Sequence, residues 1–402
     1  MIAIKKLISL DKNEFDKEVT ILKALGAKKN GHPHLIKLLA TYRYKGKYHL
    51  MFPCANANLR VYWQDRKMPT FDAQTVLWSM RQMTGIAEGL LRIHKFEVTI
   101  PLKVSGAGEM RVQKDAELSV SRGEELFGRH GDIKPENILW FEKTQDCTDE
   151  KGVLQIADFG LGRFHGRDSR SNVNPDTIVG SPTYEPPECK LRRSVSRSYD
   201  LWSLGCLYLE FITWLLKGTE AIDGFSEFRG RQSSTGINDD NFFTIYRDPI
   251  TGPEGKVRDK VVEWVDQLHQ HEKCSHLIHD LLDLIMEDLL LIDSKERCQT
   301  SFLYMQMKLF LGQAEKDQSY LLKPVPPGQK RNSRSQSASN VLNVDKLIPR
   351  RIPSAGQEHI PSPEREELRP LPVIPKIALR PARNQGMKKG KSVTWPTEAS
   401  TG

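Results

Sequence analysis

Two short apolar runs, each flanked by charged residues, constrain the fold of this chain more than any other feature. The first lies within His130 to Trp140 and the second within Leu154 to Gly160, with a polar gap between them. Apolar runs of this length on either side of a polar gap predict two strands joined by a turn. The polar residues beside both runs are then expected at one edge of a small sheet.

Those flanking residues carry a specific chemistry. They include Asp132, Lys134, Asn137 and Asp158. An Asp can orient a hydroxyl and accept its proton, and a Lys can neutralise a moving phosphate. An Asn and a second Asp can hold magnesium. The pattern therefore indicates phosphoryl transfer.

The net charge of +8 is not spread evenly along the 402 residues. From Lys323 to the end there are 15 Lys or Arg against 6 Asp or Glu, which leaves 44 basic and 45 acidic residues in the rest. The basic surplus therefore belongs to the tail, and we expect no nucleic-acid binding by the folded domain. The overall hydrophobic content of 38% also indicates that some segment is not packed.

The six cysteines are scattered and include no C-x-x-C pair. This favours reduced thiols in an intracellular protein over a disulfide framework or a zinc site. No signal peptide is visible, and cytoplasmic and nuclear locations both stay open. The run Leu201 to Leu216 is short for a membrane span and carries Glu210, so we expect a buried helix and no membrane span.

The N-terminal residues predict a strand, Met1 to Lys6, followed by a helix from Phe15 to Leu25. Glu18 falls on the apolar stripe of that helix. It either reaches solvent at the edge of the stripe or pairs with Lys5 or Lys6 on the strand. Position alone leaves these alternatives open.

Further along, the pattern alternates between apolar helices and polar, loop-rich stretches. Ser198 or Asp200 is a candidate cap for the central buried helix. From Lys323 onward Pro, Ser, Arg and Lys dominate, and we expect disorder. A strand is expected after the turn at Gly31 and another at Tyr48 to Phe52, with helices over 71–94, from 198, over 257–293 and over 300–313, and loop-rich insertions at about 98–127 and 224–256.

Over roughly residues 1 to 315 these motifs together resemble a eukaryotic protein kinase domain. Ala3-Ile4-Lys5 looks like the strand of the nucleotide-binding lysine, and Glu18 fits its helix partner. The block from His130 to Asn137 looks like the catalytic loop, and Asp158-Phe159-Gly160 like the metal-binding turn. The segment Lys134-Pro135-Glu136-Asn137 resembles the serine/threonine group.

The resemblance implies roles for further residues. Phe52 stands at the back of the adenine pocket, and the hinge from Pro53 to Ala55 would contact the nucleotide through Cys54 and Ala55. Thr183 matches the threonine that contacts the catalytic Asp. Among residues that would hold the fold, Glu188 pairs with Arg297, and Asp200 braces the catalytic loop.

The implied fold class is α+β, a bilobal protein-kinase-like fold with an incomplete N-terminal β lobe and a mainly α-helical C-terminal lobe. We expect a partial first lobe at 1–55, a second lobe at 56–315 and a disordered tail at 323–402. The implied function is transfer of the γ-phosphoryl group of ATP, with Mg²⁺, to Ser or Thr of protein substrates. The alternative is a pseudokinase or scaffold that binds partners.

The tail suggests partners of its own. Pro370 to Pro375 is typical of a polyproline ligand for an SH3- or WW-type domain. Lys388 to Lys391 would favour nuclear import or an acidic partner. For both segments we prefer the simpler interpretation, a solvated tail.

The sequence departs from the family pattern at two places. Gly131 stands where most members have an Arg that pairs with a phosphorylated activation loop. We therefore expect phosphorylation of Ser169, Ser171, Thr177 or Ser181 to have a modest effect. The glycine-rich loop would precede Lys5, where only four residues stand, so we expect the full protein to begin upstream of Met1, and we expect weaker nucleotide binding by the chain as it stands. With its insertions, the sequence also resembles a kinase lineage common in filamentous fungi.

Overall fold

The computed structural model describes residues 1–7, 12–26, 31–97, 102–105, 117–120, 125–142, 149–159, 163–165, 182–232 and 238–326. Several predictions made above fall outside these residues. They are the phosphorylation sites between 169 and 181, Gly160 and the tail from 327 onward.

The strands are short and most lie in the first half of the chain. They are β1 (Ile2–Lys6), β2 (Ala40–Tyr44), β3 (Lys47–Pro53), β4 (Ala57–Asn58), β5 (Phe96–Glu97), β6 (Leu102–Ser105), β7 (Glu117–Val120), β8 (Glu125–Arg129), β9 (Ile138–Phe141), β10 (Val153–Ile156), β11 (Arg163–His165), β12 (Arg231–Gln232), β13 (Asn238–Asp239), β14 (Phe243–Asp248) and β15 (Gly252–Val257).

Helices dominate the second half. They are α1 (Lys12–Gly26), α2 (Leu59–Asp65), α3 (Ala73–His94), α4 (Pro187–Lys190), α5 (Ser198–Lys217), α6 (Thr219–Arg229), α7 (Asp259–His269), α8 (His276–Leu284), α9 (Thr300–Ala314) and α10 (Gln318–Leu322). Together with the strands, they give the α+β, two-lobed arrangement expected from the sequence.

The N-terminal part is an antiparallel sheet in the order β1-β3-β2, accompanied by helix α1. The central strand β3 has three consecutive buried residues, Tyr48 to Leu50, and Leu50 is fully buried. Strand β1 pairs with β3 so that Lys5 lies opposite Leu50. This register places the Lys5 side chain at a defined point beside α1, as the strand and helix predictions require.

The segment after Gly31 matches its prediction as a turn that leads into a strand. It forms a turn with a single parallel bridge between Leu35 and Ile156, and the strand begins only at Ala40. Pro33 has no N–H to give to a ladder, which limits regular pairing here. The segment instead connects the N-terminal part to β10.

Helix α5 is the centre of the C-terminal part because it is apolar on all sides. All of its residues from Tyr199 to Leu216 are buried. Gly205 on this helix allows close approach, since an added Cβ would meet Leu289 and Leu290 at 2.9 and 3.0 Å. The predicted cap is wrong: the N-cap position is Arg197, which makes no side-chain capping bond, and Asp200 has other partners.

The stretch 224–256 is more regular than the loop-rich insertion expected there. It contains the end of α6 and the antiparallel hairpin of β14 and β15 up to its last residue but one. Phe225, Phe242 and Phe243 are buried at 0 or 1% exposure. These three aromatic side chains anchor a polar stretch that has little apolar periodicity of its own.

In the part of the chain described, no helix has the length and apolar character needed to cross a membrane.

Candidate active site

Strands β9 and β10 form the antiparallel pair that the two apolar runs predict. Ile138 lies opposite Ile156 in this pair, so the chain enters β9 and leaves β10 at the same edge. The N–H of Ala157 donates to the carbonyl of Asn137 at 2.9 Å, which extends the pairing by one step. The polar ends of both runs therefore meet at one place.

The loop before β9 holds its charged residues by short contacts to Asp132. The Asn137 amide Nδ2 donates to the backbone carbonyl and to Oδ2 of Asp132, both at 2.8 Å. The Lys134 Nζ lies 3.1 Å from the same Oδ2. Two donors on one carboxylate oxygen fix the rotation of that carboxylate. Three residues of the predicted site are thus a single hydrogen-bonded unit.

Asp200 on α5 holds the backbone of this loop in place. Its two carboxylate oxygens accept the N–H groups of His130 and Gly131, each at 2.8 Å. Burial would raise the pKa of Asp200, but the hydrogen bonds from His94 and from the loop outweigh it and lower that pKa. Gly131 has a φ of +84°, a conformation that L side chains rarely adopt. The left-handed backbone at this position is therefore a structural reason for glycine there.

His94 also contacts Asp200 and so helps to hold this loop, a role that the sequence did not predict. It is buried at the end of α3, with Nε2 2.8 Å from Asp200 and Nδ1 2.5 Å from the Thr300 hydroxyl. Burial lowers the pKa of His94 despite the neighbouring carboxylate. A lone His after an apolar helix carries no pattern that separates this role from simple packing.

The turn after β10 is positioned by His130. Its Nε2 lies 2.9 Å from the Ala157 carbonyl, and its ring meets the buried Phe159 ring edge-on at 5.2 Å. Between them, Asp158 has a φ of +64°, a left-handed conformation uncommon for residues other than glycine. Strain of this kind persists only where the surroundings impose it, and it is common at functional sites.

Lys5 connects that turn to the N-terminal part. Its Nζ lies 2.8 Å from Glu18 Oε1 and 2.8 Å from Asp158 Oδ1. Burial would lower the pKa of Lys5, but the two carboxylates outweigh it and raise that pKa. The alternatives left open by the sequence are resolved: Glu18 pairs with Lys5, whereas Lys6 is exposed.

The predicted hinge residues and Phe52 lie at the end of strand β3 and directly after it. Phe52 pairs with Ala3 across the sheet, and it packs against the core together with Ala55. The Cys54 N–H donates to the Met1 carbonyl at 3.3 Å. All three of Phe52, Cys54 and Ala55 are half-buried. They form the connection between the N-terminal sheet and helix α2.

Thr183 does not have the partner that the resemblance implies. Its hydroxyl donates to Asp240 Oδ1 at 2.6 Å. Because a hydroxyl has one proton, Thr183 cannot donate to Asp132 in this arrangement. Ser226 on α6 donates to the other Asp240 oxygen at 2.8 Å, so Asp240 links Thr183 to α6. In this arrangement the predicted contact between Thr183 and Asp132 is replaced by the hydrogen bond to Asp240.

Next to Thr183 lies a buried polar cluster that the sequence did not reveal. The Tyr184 hydroxyl accepts from Arg60 at 2.6 Å and donates to Glu210 at 2.8 Å. Arg60 also contacts Glu136 in the loop before β9 at 3.2 Å, and Arg229 contacts Glu210 at 3.2 Å. These five residues come from five separate elements of the fold, so no local spacing could have grouped them.

Glu188 and Arg297 form the two-pronged ion pair that the resemblance implies. The two Arg297 nitrogens lie 2.8 and 2.7 Å from the two Glu188 oxygens. Arg297 also donates to the Ser198 carbonyl at 3.0 Å. The pair ties α4 to the start of α5 and to the segment before α9.

The donor set at this edge fits a hard divalent cation. The Asn137 amide N–H donates to Asp132, so the amide oxygen points away from Asp132. Asp158 supplies a carboxylate that is 47% exposed. Amide and carboxylate oxygens are the ligands that Mg²⁺ takes in proteins.

Comparison with known proteins agrees with the resemblance to protein kinases. Residues 127–301 match the family model of the protein kinase domain. The chain is 36% identical over 95 residues to serine/threonine-protein kinase nekl-2 of Caenorhabditis elegans, covering 24% of this chain and 22% of that protein.

Two longer matches agree. The chain is 29% identical over 212 residues to serine/threonine-protein kinase unc-51 of C. elegans, covering 52% of this chain and 20% of that protein. It is 27% identical over 203 residues to serine/threonine-protein kinase ATG1 of Debaryomyces hansenii, covering 48% and 21%. Each match spans about a fifth of the relative's length, and the resemblance to filamentous-fungal kinases stays a prediction.

Proposed function

Because the chain carries a protein kinase domain of the serine/threonine type, we propose that it transfers the γ-phosphoryl group of ATP to Ser or Thr hydroxyls of protein substrates. The observation that carries this proposal is the position of Lys5, in contact with both Glu18 and Asp158. Asp158 lies 153 residues from Lys5 in sequence. This contact joins the nucleotide-binding strand to the turn that would hold the metal.

Lys5 acts on the nucleotide in this proposal. Its ammonium group binds the α- and β-phosphates, and Glu18 holds the ammonium in place. A charge held before the ligand arrives needs no reorganisation when it binds, so its electrostatic effect on the phosphates is large. The raised pKa keeps Lys5 charged across the physiological range.

Asp132 acts on the substrate hydroxyl. Its carboxylate orients the hydroxyl and accepts its proton as the phosphoryl group moves. Asn137 and Lys134 fix that carboxylate through Oδ2. Lys134 also stabilises charge on the γ-phosphate, which its position beside Asp132 supports.

Kinase domains of this family use ATP together with divalent metal, and here Asn137 and Asp158 would hold Mg²⁺. The metal, when bound, neutralises charge on the phosphates. The amide of Asn137 is oriented by Asp132, and the carboxylate of Asp158 by Lys5. The residues of the site thus orient both ligands through their own hydrogen bonds.

The hinge from Pro53 to Ala55 would contact the adenine, with Phe52 behind it. Its place between the sheet and α2, with Asn56 bonded to Trp140 of β9 at 3.0 Å, supports this assignment. The partners proposed for the tail rest on residues outside the described part of the chain and stay predictions from the sequence.

Two measurements on the purified chain test the proposal. A thermal shift with ATP and Mg²⁺ reports binding, and transfer of labelled γ-phosphate to a mixture of protein substrates reports activity. We expect a rise in melting temperature and labelled phosphoserine or phosphothreonine. Label only on tyrosine would contradict the substrate class. Binding without any transfer would contradict catalysis and favour a scaffold.

A further inference from the structure

A buried group of metal-ligating side chains lies at the junction of α7 and α8, on a different part of the fold from the residues of the proposed active site. His269 ends α7, Cys274 closes the turn that follows, and His279 lies one turn into α8. Their exposed fractions are 8, 0 and 1%. One ligand atom from each of the three lies within 4.8 Å of those of the other two. The spacing is H-x4-C-x4-H.

The backbone brings these side chains together. The Cys274 N–H donates to the His271 carbonyl at 2.8 Å, which closes the turn. The His279 N–H donates to the Ser275 carbonyl at 3.0 Å, which starts α8. The two imidazole rings then stack, with centroids 5.0 Å apart and planes 11° from parallel. The grouping is therefore a property of the local fold.

The outer nitrogens of both rings face acceptors. His279 Nε2 lies 2.8 Å from the Val325 carbonyl, and His269 Nε2 lies 3.5 Å from Asp283 Oδ1. A carbonyl can only accept, so the short contact to Val325 places the proton of His279 on Nε2 and leaves its Nδ1 as an acceptor. The Nδ1 of His269 can then donate its proton to the Nδ1 of His279 when no metal is bound.

Those inner nitrogens are very close. The Nδ1 atoms of His269 and His279 are 2.7 Å apart. An N–H···N hydrogen bond accounts for this distance without a metal, and a cation that takes the place of this proton would have both inner nitrogens within reach. The Cys274 sulfur supplies a third donor to the same position. A histidine whose outer nitrogen meets a carbonyl or carboxylate is the usual arrangement in metal sites.

We propose that His269, Cys274 and His279 bind one zinc ion. A thiolate and two imidazole nitrogens form a soft to intermediate donor set that suits zinc and not magnesium or calcium. With Zn–N bonds of about 2.0–2.1 Å, tetrahedral ligand nitrogens lie about 3.4 Å apart. The two rings therefore separate by about 0.7 Å on binding, a movement that ring rotation supplies. A water molecule takes the fourth position.

The charges balance when zinc binds. The Cys274 S–H bond breaks, the sulfur keeps the electron pair and bonds to zinc, and the proton leaves to solvent. Thiolate, two neutral imidazoles and Zn²⁺ sum to one positive charge. The Asp283 carboxylate beside His269 offsets that charge. The site is thus close to neutral in a buried place.

Zinc at this position would fasten three segments together. Two are α7 and α8, and the third is the chain after α10. The Val325 N–H donates to the Cys274 carbonyl at 2.9 Å, and its own carbonyl contacts His279. Ser275 also bridges to Pro324. The ion therefore holds the segment from which the basic tail continues, and this role is independent of phosphoryl transfer.

The test uses the full chain, purified with an affinity tag that contains no histidine. Elemental analysis after dialysis against trace zinc should give about one zinc per chain. Cobalt in place of zinc should give the near-ultraviolet absorption of a thiolate–Co²⁺ bond. Cys274→Ser should remove that absorption and weaken zinc binding at least about tenfold.

His276→Gln is the matched control, because His276 lies in the same segment but outside the cluster. It should keep the metal and the absorption of the wild type. Circular dichroism checks that each variant folds, and His279→Gln serves if Cys274→Ser does not. A wild-type chain that binds no stoichiometric zinc or cobalt overturns the proposal, and the two histidines then share a proton. Unchanged zinc affinity in both variants also overturns it.

Discussion

The Lys5 ammonium lies 2.8 Å from a carboxylate oxygen of Glu18, although the two residues are on different elements, strand β1 and helix α1. The Glu18 side chain is only 9% exposed, whereas that of Lys5 is 29% exposed. A second carboxylate, Asp158, lies at the same distance from the ammonium. The position of this single nitrogen therefore depends on three separate parts of the chain.

Replacing Lys5 should disable the site while the neighbouring lysine should be dispensable. Lys5→Met removes the cation between Glu18 and Asp158, and we expect transfer to fall on the order of a hundredfold or more. Lys6→Met, one residue along the same strand and exposed, should stay within about twofold of the wild type. Initial rates of γ-phosphate transfer at saturating ATP measure both. Equal losses in the two variants would contradict the assignment of Lys5.

The Glu188–Arg297 pair should be essential for stability. Both side chains are buried, at 1 and 0% exposure, so removing one charge leaves the other without compensation. Arg297→Met should lower the free energy of unfolding by about 3–5 kcal/mol. Urea denaturation followed by fluorescence measures this.

The exposed pair of Lys260 and Glu263, at 50 and 49% exposure, is the control for that experiment. Lys260→Met should change stability by less than about 1 kcal/mol. A loss in Arg297→Met as small as that in Lys260→Met would show that the buried pair contributes little.

Asp200 should matter for both folding and pH dependence. Asp200→Asn removes the charge that accepts the N–H groups of His130 and Gly131, and we expect a loss of about 3 kcal/mol. The exposed Asp266→Asn on α7 should have little effect. The folded-state pKa of Asp200 lies below its usual value of 3.8. Its stabilisation is therefore present above pH 3.8 and is lost as pH falls through the lower, folded-state pKa.

His34 should give a separate acid sensitivity. Burial lowers its pKa to about 4, and the charge of His32 adds to this, while contacts to the Leu154 carbonyl and Glu88 oppose it. Between pH 6.5 and about 4 the unfolded chain binds this proton and the folded chain does not. Stability should therefore decrease as pH falls through this range.

Urea midpoints at pH 7 and pH 5 measure that decrease. His34→Gln should flatten the dependence, because glutamine has no proton to gain. His276→Gln, which removes a half-buried histidine elsewhere in the fold, should leave the dependence as in the wild type. An unchanged slope in His34→Gln would show that another group is responsible.

The sequence was informative wherever local periodicity decided the outcome. The β9–β10 pair, the strand of Lys5 and the buried helix α5 each have an apolar pattern that only one arrangement can bury. The motif order over these elements then led to Asp132, Asn137 and Asp158. These predictions depend on residues that are close in sequence and on the resemblance to protein kinases.

Contacts between distant polar residues could not be predicted in that way. Thr183 is drawn to Asp240, and Tyr184 to Arg60 and Glu210, by partners that lie 26 to 124 residues away. Asp200 stands where the sequence pattern predicts a helix cap. Its oxygens instead accept the N–H groups of His130 and Gly131. The group of His269, Cys274 and His279 contains no C-x-x-C pair, so the spacing of the cysteines did not indicate it.

The most direct measurement of the central claim is γ-phosphate transfer by Asp132→Asn. Asparagine keeps the shape of the side chain and accepts no proton at this position, so turnover should fall at least about a hundredfold. The melting temperature and the ATP-induced shift should stay close to those of the wild type. Asp266→Asn should retain full activity. A wild-type rate of transfer in Asp132→Asn would contradict the account.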